Sequence, residues 1–347
     1  MILVNNPGTW TNVYAPLEHA AWNGCTPTDL IFPFFLFIIG VAISLAFEPS
    51  RQRERDRGVV YVRIARRTAL IFGLGIFLNG FPLFDWSELR IPGVLQRIAL
   101  CYGSAALLVL MLRPRGQTVA AVGLIAAYWL AMALTASRGG AWIGPTGNLA
   151  ASIDSRLLNG HLLHDGWDPE GLLTTVPAIA TTLMGALAGH WMRASRRPAD
   201  RTLVLLLAGV AGIAGGLFMD QWCPINKALW TPSYTVFTAG MALVLLAVCD
   251  GLIEVLGFQR WATPFVMYGT NPIVAYVLSS LMAKEMFLWR VTRADGTTTD
   301  LQHYIFAVVF LPLAQPVNAS LLYAVGYAVL WLGVAAVLYR KGVLIKI

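Results

Sequence analysis

Residues 30–40 read L-I-F-P-F-F-L-F-I-I-G, the centre of an uncharged run over 28–47. A run of about 20 apolar residues is long enough to cross the hydrocarbon core of a bilayer as a helix. Immediately upstream stands E-H-A-A-W-N-G-C-T-P-T-D, so His19 lies at the mouth of that helix in a dense polar and aromatic cluster. The chain has only 5 histidines, and this one alone combines a titratable ring with a membrane edge. Imidazole can act as base or nucleophile near neutral pH, although a histidine at such an edge more often serves as a structural hydrogen-bonder.

Comparable apolar runs recur at about 60–80, 94–112, 117–134, 172–191, 202–219, 233–249, 262–282 and 319–339. Hydrophobic residues make up 57% of the 347 and charged residues only 12%, about half the share usual in soluble domains. Mean hydropathy is +0.64. The expected fold is therefore all-α: a polytopic integral membrane helical bundle of about nine transmembrane helices. Met1-Ile-Leu-Val reads as the last turn of a helix whose earlier part is missing, and restoring it would give ten. The whole chain, 1–347, reads as a single transmembrane domain, with no soluble domain or flexible linker.

The net charge of +7 follows membrane topology. With 28–47 running outside to inside, 17 of the 25 Lys and Arg fall in inner connectors, among them Arg51, Arg53, Arg55, Arg57, Arg63, Arg66, Arg67, Arg113, Arg115, Arg193, Arg196, Arg197, Arg201 and Lys346. The outer side holds the other 8, including Arg90, Arg97, Arg138 and Lys227. This is the positive-inside pattern, and it argues against nucleic acid as a partner. It places His19 outside and the C-terminus in the cytoplasm. Cys25 and Cys223 both fall outside, where a disulfide is permitted; the 4 cysteines show no metal-ligand spacing. His161, His164 and His303 also lack metal-compatible partners, so no metal is expected. The outer loops at about 135–171, 220–232 and 283–318 are long and aromatic. The last contains H-Y-I-F-A-V-V-F-L-P-L-A, too short to cross. Gly185 and Gly189, and Gly212 and Gly216, have the spacing of close helix contacts. Asn79, Arg97 and Asn271 should face the bundle interior.

Four stretches carry a family resemblance: H-A-A-W-N-G-C-T-P-T-D-L-I-F-P at 19–33, R-I-P-G-V-L-Q-R at 90–97, I-N-K-A-L-W-T-P-S-Y at 225–234 and G-T-N-P-I-V-A-Y at 269–276. Together with M-I-L-V-N-N-P-G at the start, the chain resembles the heparan-α-glucosaminide N-acetyltransferase family of transmembrane acyltransferases. The resemblance implies transfer of an acetyl group from cytoplasmic acetyl-CoA to a glycan amine on the far side. It implies His19 as the active-site residue, with Asn5 near it and Asp29 opening the following helix. It also implies that a homodimer is possible.

On the residues themselves, His19 can attack a thioester or deprotonate the acceptor. Asn5 can hold the imidazole or donate to an oxyanion, and Asp29 can orient His19 or stabilise the helix start. Arg66 and Arg67 can bind CoA phosphates, although topology alone predicts basic residues there. Arg90, Gln96 and Arg97, with Lys227 and Asn271, complete the candidate cofactor-binding set. The expected protein is an acetyltransferase of the bacterial cytoplasmic membrane, with lipid around it and a glycan or amino-sugar acceptor. The alternative is a transporter or flippase for a lipid-linked substrate.

Overall fold

The computed structural model describes residues 1–51, 57–136, 142–193, 197–293 and 296–345. The topological assignments of Arg53, Arg55, Arg138, Arg196 and Lys346 lie outside the described residues. In chain order the helices are α1 (Ile2–Asn5), α2 (Ile31–Arg51), α3 (Arg57–Gly80), α4 (Val94–Met111), α5 (Pro114–Ala136), α6 (Leu149–Leu157), α7 (Thr175–Arg193), α8 (Pro198–Asp220) and α9 (Pro232–Asp250). They continue with α10 (Thr263–Thr270), α11 (Pro272–Leu288), α12 (Leu301–Ile305) and α13 (Pro316–Arg340), while β1 (Arg290–Thr292) and β2 (Thr298–Asp300) pair as a short antiparallel hairpin. Proline opens the first turn of α8, α9, α10, α11 and α13, where its missing N–H costs nothing.

The chain divides into two compact units. One comprises Met1–His19, Thr26–Thr28 and Gln259–Ile347; the other comprises Ala20–Cys25 and Asp29–Phe258.

In the larger unit, α2, α4, α7 and α9 pack side by side with their starts at the same end. Gly40 of α2 sits so close to α7 that an added Cβ would lie 1.8 Å from the Thr182 carbonyl. Gly185 approaches the Phe37 backbone, and Gly189 approaches Val41 and Ser44, so the two helices run parallel at backbone contact. Gly212 and Gly216 make the equivalent approach between α8 and α9, against Gly240 and Phe237. Both small-residue pairs therefore do what their spacing indicated. Around these contacts, Phe37, Ile43, Ile64, Tyr102, Leu183 and Ala186 form the dry core.

In the smaller unit, α10 and α11 meet at a 72° bend across Asn271 and Pro272. Asn271 holds the C-terminal segment there: its Nδ2 donates to the Val343 carbonyl at 2.9 Å, and its Oδ1 accepts from the Ile345 amide at 2.8 Å. Phe306, Tyr323, Tyr327 and Trp331 stack into an aromatic core along α13. The apolar piece at Leu301–Phe310 is helical and too short to cross, as its length required.

Every apolar run falls on a helix, but among the described residues six helices are long and apolar enough to cross a membrane, or seven if the bent α10–α11 pair counts as one span. The difference from nine lies in α3 and α7. The first half of α3 carries Arg63, Arg66 and Arg67, and α7 has Thr175, Thr181 and Thr182 buried among its neighbours. Those threonines are buried inside the larger unit, whereas the three arginines of α3 are exposed. The architecture is that of a multi-pass membrane protein.

Candidate active site

Asp29 is the best anchored of the candidates. It ends a short 3-10 turn, Pro27–Leu30, that feeds α2, and it is 1% exposed. Its Oδ2 accepts the Ala20 amide at 3.0 Å, and its Oδ1 lies 3.3 Å from the Lys227 ammonium. Its carbonyl accepts the Tyr234 hydroxyl at 2.6 Å. A buried carboxylate with both oxygens engaged fixes the backbone immediately after His19 in the sequence.

The loop is stitched to the 225–234 stretch at further points. The Gly24 amide donates to the Ile225 carbonyl at 2.7 Å. Asn226, fully buried, donates through Nδ2 to the Trp22 carbonyl at 2.9 Å and to Asn23 Oδ1 at 3.1 Å. Residues 22–24 are thereby joined, within the larger unit, to a stretch 203 and 204 positions along the chain. Cys25 sits beside Asp29 and Lys227, and burial first, then the Asp29 charge, pushes its thiol up to about 12. It stays protonated at neutral pH and is no candidate nucleophile. No disulfide joins it to Cys223.

Trp230 follows in the same stretch with φ +49, a left-handed conformation that a bulky residue adopts only when its surroundings enforce it. Its indole is fully buried, donates to Thr181 Oγ1 at 3.1 Å and packs edge-on against Phe32 and Tyr234. Above the ring, 5.2 Å from its centroid, lies the Arg97 guanidinium. Arg97 is 1% exposed, and its Nη2 donates to the Thr174 hydroxyl and to the Gly171 carbonyl. The Nε and Nη1 atoms of Arg97, and the neighbouring Gln96 Nε2, are buried without a hydrogen-bond partner.

Arg90 is engaged differently. Its Nε and Nη2 form a fork on Asp168 at 2.8 and 2.7 Å, and Nη2 also reaches Glu170 at 2.6 Å. Burial alone would lower its pKa; the hydrogen bonds and charges of Asp168 and Glu170 outweigh burial and raise it. Asn79 braces the same turn by donating to the carbonyls of Arg90 and Pro92. The long loop is thus clamped to the start of α4, and Arg90 is the clamp.

Asp154, on α6, accepts the Leu172 amide at 2.9 Å and presses against Gly171. Its carboxyl is raised to about 6, by burial first and then by the Asp168 charge, despite the opposing bond from Leu172. A carboxyl whose folded pKa is raised binds its proton more tightly in the folded state. Its contribution is complete below the unfolded value of about 3.9 and is lost as pH rises through about 6. Asp154→Asn should therefore flatten the pH dependence of thermal unfolding between about pH 4 and 6; an unchanged slope would contradict this.

In the smaller unit His19 is exposed, and the carbonyls just before it are held: Thr26 donates to Glu18 at 2.6 Å and Thr28 to Pro16 at 3.2 Å. Asn5 is exposed at the end of α1, whereas the adjacent Asn6 is buried and donates to the Ile2 carbonyl at 2.7 Å. Arg66 and Arg67 lie exposed on α3, with Arg67 4.7 Å above the Tyr102 ring. The sequence reading assigned no role to Asp154, Asp168 or Thr174, and took Trp230 for an interface anchor although it is fully buried. Of these, only Trp230 lay in a quoted motif.

No family model matches the chain. Among curated proteins it is similar to heparan-alpha-glucosaminide N-acetyltransferase of Homo sapiens, 28% identical over 407 aligned residues, and to that of Mus musculus, 26% identical over 413. Both alignments cover 100% of this chain and 58% of the relative, so the chain spans little more than half their length. At 26–28% identity over all of its residues, the chain is a homologue of heparan-alpha-glucosaminide N-acetyltransferase.

Proposed function

We propose that this protein is a transmembrane acetyltransferase that moves an acetyl group from acetyl-CoA to an amino sugar or other glycan. The observation that carries this reading is homology, over the whole of this chain, to heparan-alpha-glucosaminide N-acetyltransferase. The buried network joining residues 20–25 and Asp29 to the 225–234 motif supports it, because reacting groups need rigid support.

His19 is the proposed reacting group. Its neutral imidazole either attacks the thioester carbonyl to give an acetyl-imidazole, or takes a proton from the acceptor as that group attacks directly. Asp29 acts on the backbone next to it, and Asn5 is assigned to the same chemistry. On the cofactor side, Arg66 and Arg67 are assigned to phosphate, and Gln96 and Arg97 carry the free buried donors. Arg90, Lys227 and Asn271, assigned to the cofactor as well, are each engaged by other groups of the protein.

The proposed topology has nine crossings: the six apolar helices, the bent pair, α3 and α7. His19 faces the periplasm of a bacterial cytoplasmic membrane, and the Arg-rich connectors and C-terminus face the cytoplasm. The whole chain works as one acyltransferase domain, surrounded by lipid and able to form a homodimer.

Proteoliposomes given labelled acetyl-CoA and an amino-sugar acceptor test the reading. Label recovered on the acceptor supports transfer. Acceptor movement across the bilayer without acetyl-CoA, and with no label attached, would support a transporter instead.

A further inference from the structure

Arg97 presents an electrostatic problem that the fold leaves open. A guanidinium has five N–H donors; the three on Nε and Nη1 have no partner, and Arg97 has no ion pair among the described residues. A buried, unpaired charge is strongly unfavourable. Its position makes matters worse, since the Nη2 contacts lie just before α7 begins, and Trp230 directly precedes Thr231, the N-cap of α9. The starts of α2, α4, α7 and α9 share this end, and helix starts carry partial positive charge. Three carboxylates act on the Arg97 charge from nearby, and each is bonded elsewhere: Asp168 and Glu170 to Arg90, and Asp154 to the Leu172 amide. One full positive charge, fixed over a strained tryptophan and surrounded by like-signed dipoles, is a site built for one negatively charged oxygen.

Resting on the acetyltransferase reading, we propose that Arg97, held over Trp230 among these helix starts, is a catalytic residue that binds the acyl carbonyl oxygen and stabilises its negative charge during transfer. The nucleophile's lone pair forms a bond to the carbonyl carbon, and the carbonyl π pair moves onto oxygen, facing Arg97. On collapse that pair returns, the carbon–sulfur bond breaks, and CoA thiolate leaves to take up the proton released by the acceptor. A single cation matches the single charge of this intermediate; a phosphate would need more.

The test compares wild type with Arg97→Gln, Arg97→Lys and Arg97→Met in the full chain. Loss of an oxyanion donor should lower kcat for Arg97→Gln by about 100- to 1000-fold, with little change in KM for acetyl-CoA. Arg97→Lys, which keeps the charge but loses the fork, should fall between. Binding of a thioether analogue of acetyl-CoA, which lacks the carbonyl oxygen, should be the same in wild type and Arg97→Gln. Without any ligand, Arg97→Met should unfold at a higher temperature than wild type, because it removes an uncompensated buried cation.

Equal weakening of acetyl-CoA, the thioether and free CoA would assign Arg97 to phosphate and overturn the proposal. So would a lower unfolding temperature for Arg97→Met, which would mark a structural cation. If wild type transfers acetyl groups and Arg97→Gln does so equally well, the inference fails while the proposed function stands. If wild type shows no acetyl-CoA-dependent transfer, the proposed function itself fails.

Discussion

Gly40→Leu is expected to abolish recovery of folded protein. The smallest added atom, Cβ, would lie 1.8 Å from the Thr182 carbonyl oxygen and 2.7 Å from the Ala186 nitrogen, both backbone. Neither can move without displacing α7. The reciprocal contact is as tight, since a Cβ at Gly185 would lie 1.9 Å from the Phe37 carbonyl oxygen. Ordinary overpacking costs about 1–3 kcal/mol because side chains can shift. Here two backbones must separate, and every contact along the α2–α7 seam loosens with them. Against a total stability of about 5–15 kcal/mol, that loss is decisive. Gly123, on α5, has nothing within 4 Å of an added Cβ and provides the matched control. Yield of a monodisperse peak in detergent should collapse for Gly40→Leu and persist for Gly123→Leu. Equal yields would mean that the α2–α7 contact is not as close as described.

The second large effect is expected at Asp168→Ala. The side chain is fully buried and accepts four hydrogen bonds: two from Arg90, one from the Leu163 amide at 2.9 Å and one from the Glu170 amide at 2.8 Å. Removing it leaves the Arg90 guanidinium with Glu170 alone and strands two amides. Breaking one side of a buried pair typically costs about 3–5 kcal/mol. Replacing both partners, as in Arg90→Met with Asp168→Leu, removes the stranded charge and should recover part of that loss. A double-mutant cycle read by thermal unfolding measures the coupling. Additive losses would show that the clamp between the long loop and α4 is not an ion pair in substance.

What could be read from the sequence follows from what is local. The run at 30–40 declares a buried helix, and G-A-L-A-G and G-I-A-G-G declare close approach, because both signals lie within one helix. The partners of those glycines, on α2 and α9, are not written in either motif. The α10–α11 pair read as one span over 262–282, although Asn271-Pro272 is where a helix would be expected to break. Arg63, Arg66 and Arg67 were read as marks of topology, and their place inside α3, like the buried threonines of α7, does not register when apolar runs alone are counted.

The site divides in the same way. Asp29 could be placed at a helix start, but its hold on Ala20 and Lys227 depends on contacts with residues 9 and 198 positions away. Arg90 stands in the R-I-P-G-V-L-Q-R stretch and was placed with the cofactor residues; its partner Asp168 is 78 positions along the chain. The left-handed Trp230 has no local signature, since its conformation is imposed by the packing of Phe32, Thr181 and Tyr234.

The most direct measurement is acetyl transfer by His19→Ala. Reconstituted wild type and variant would be given labelled acetyl-CoA on one side of the vesicle and an amino-sugar acceptor on the other. Because His19 is exposed, the variant should unfold at the wild-type temperature while losing at least about 100-fold in transfer rate. A variant that folds normally and transfers acetyl groups as fast as wild type would contradict the account.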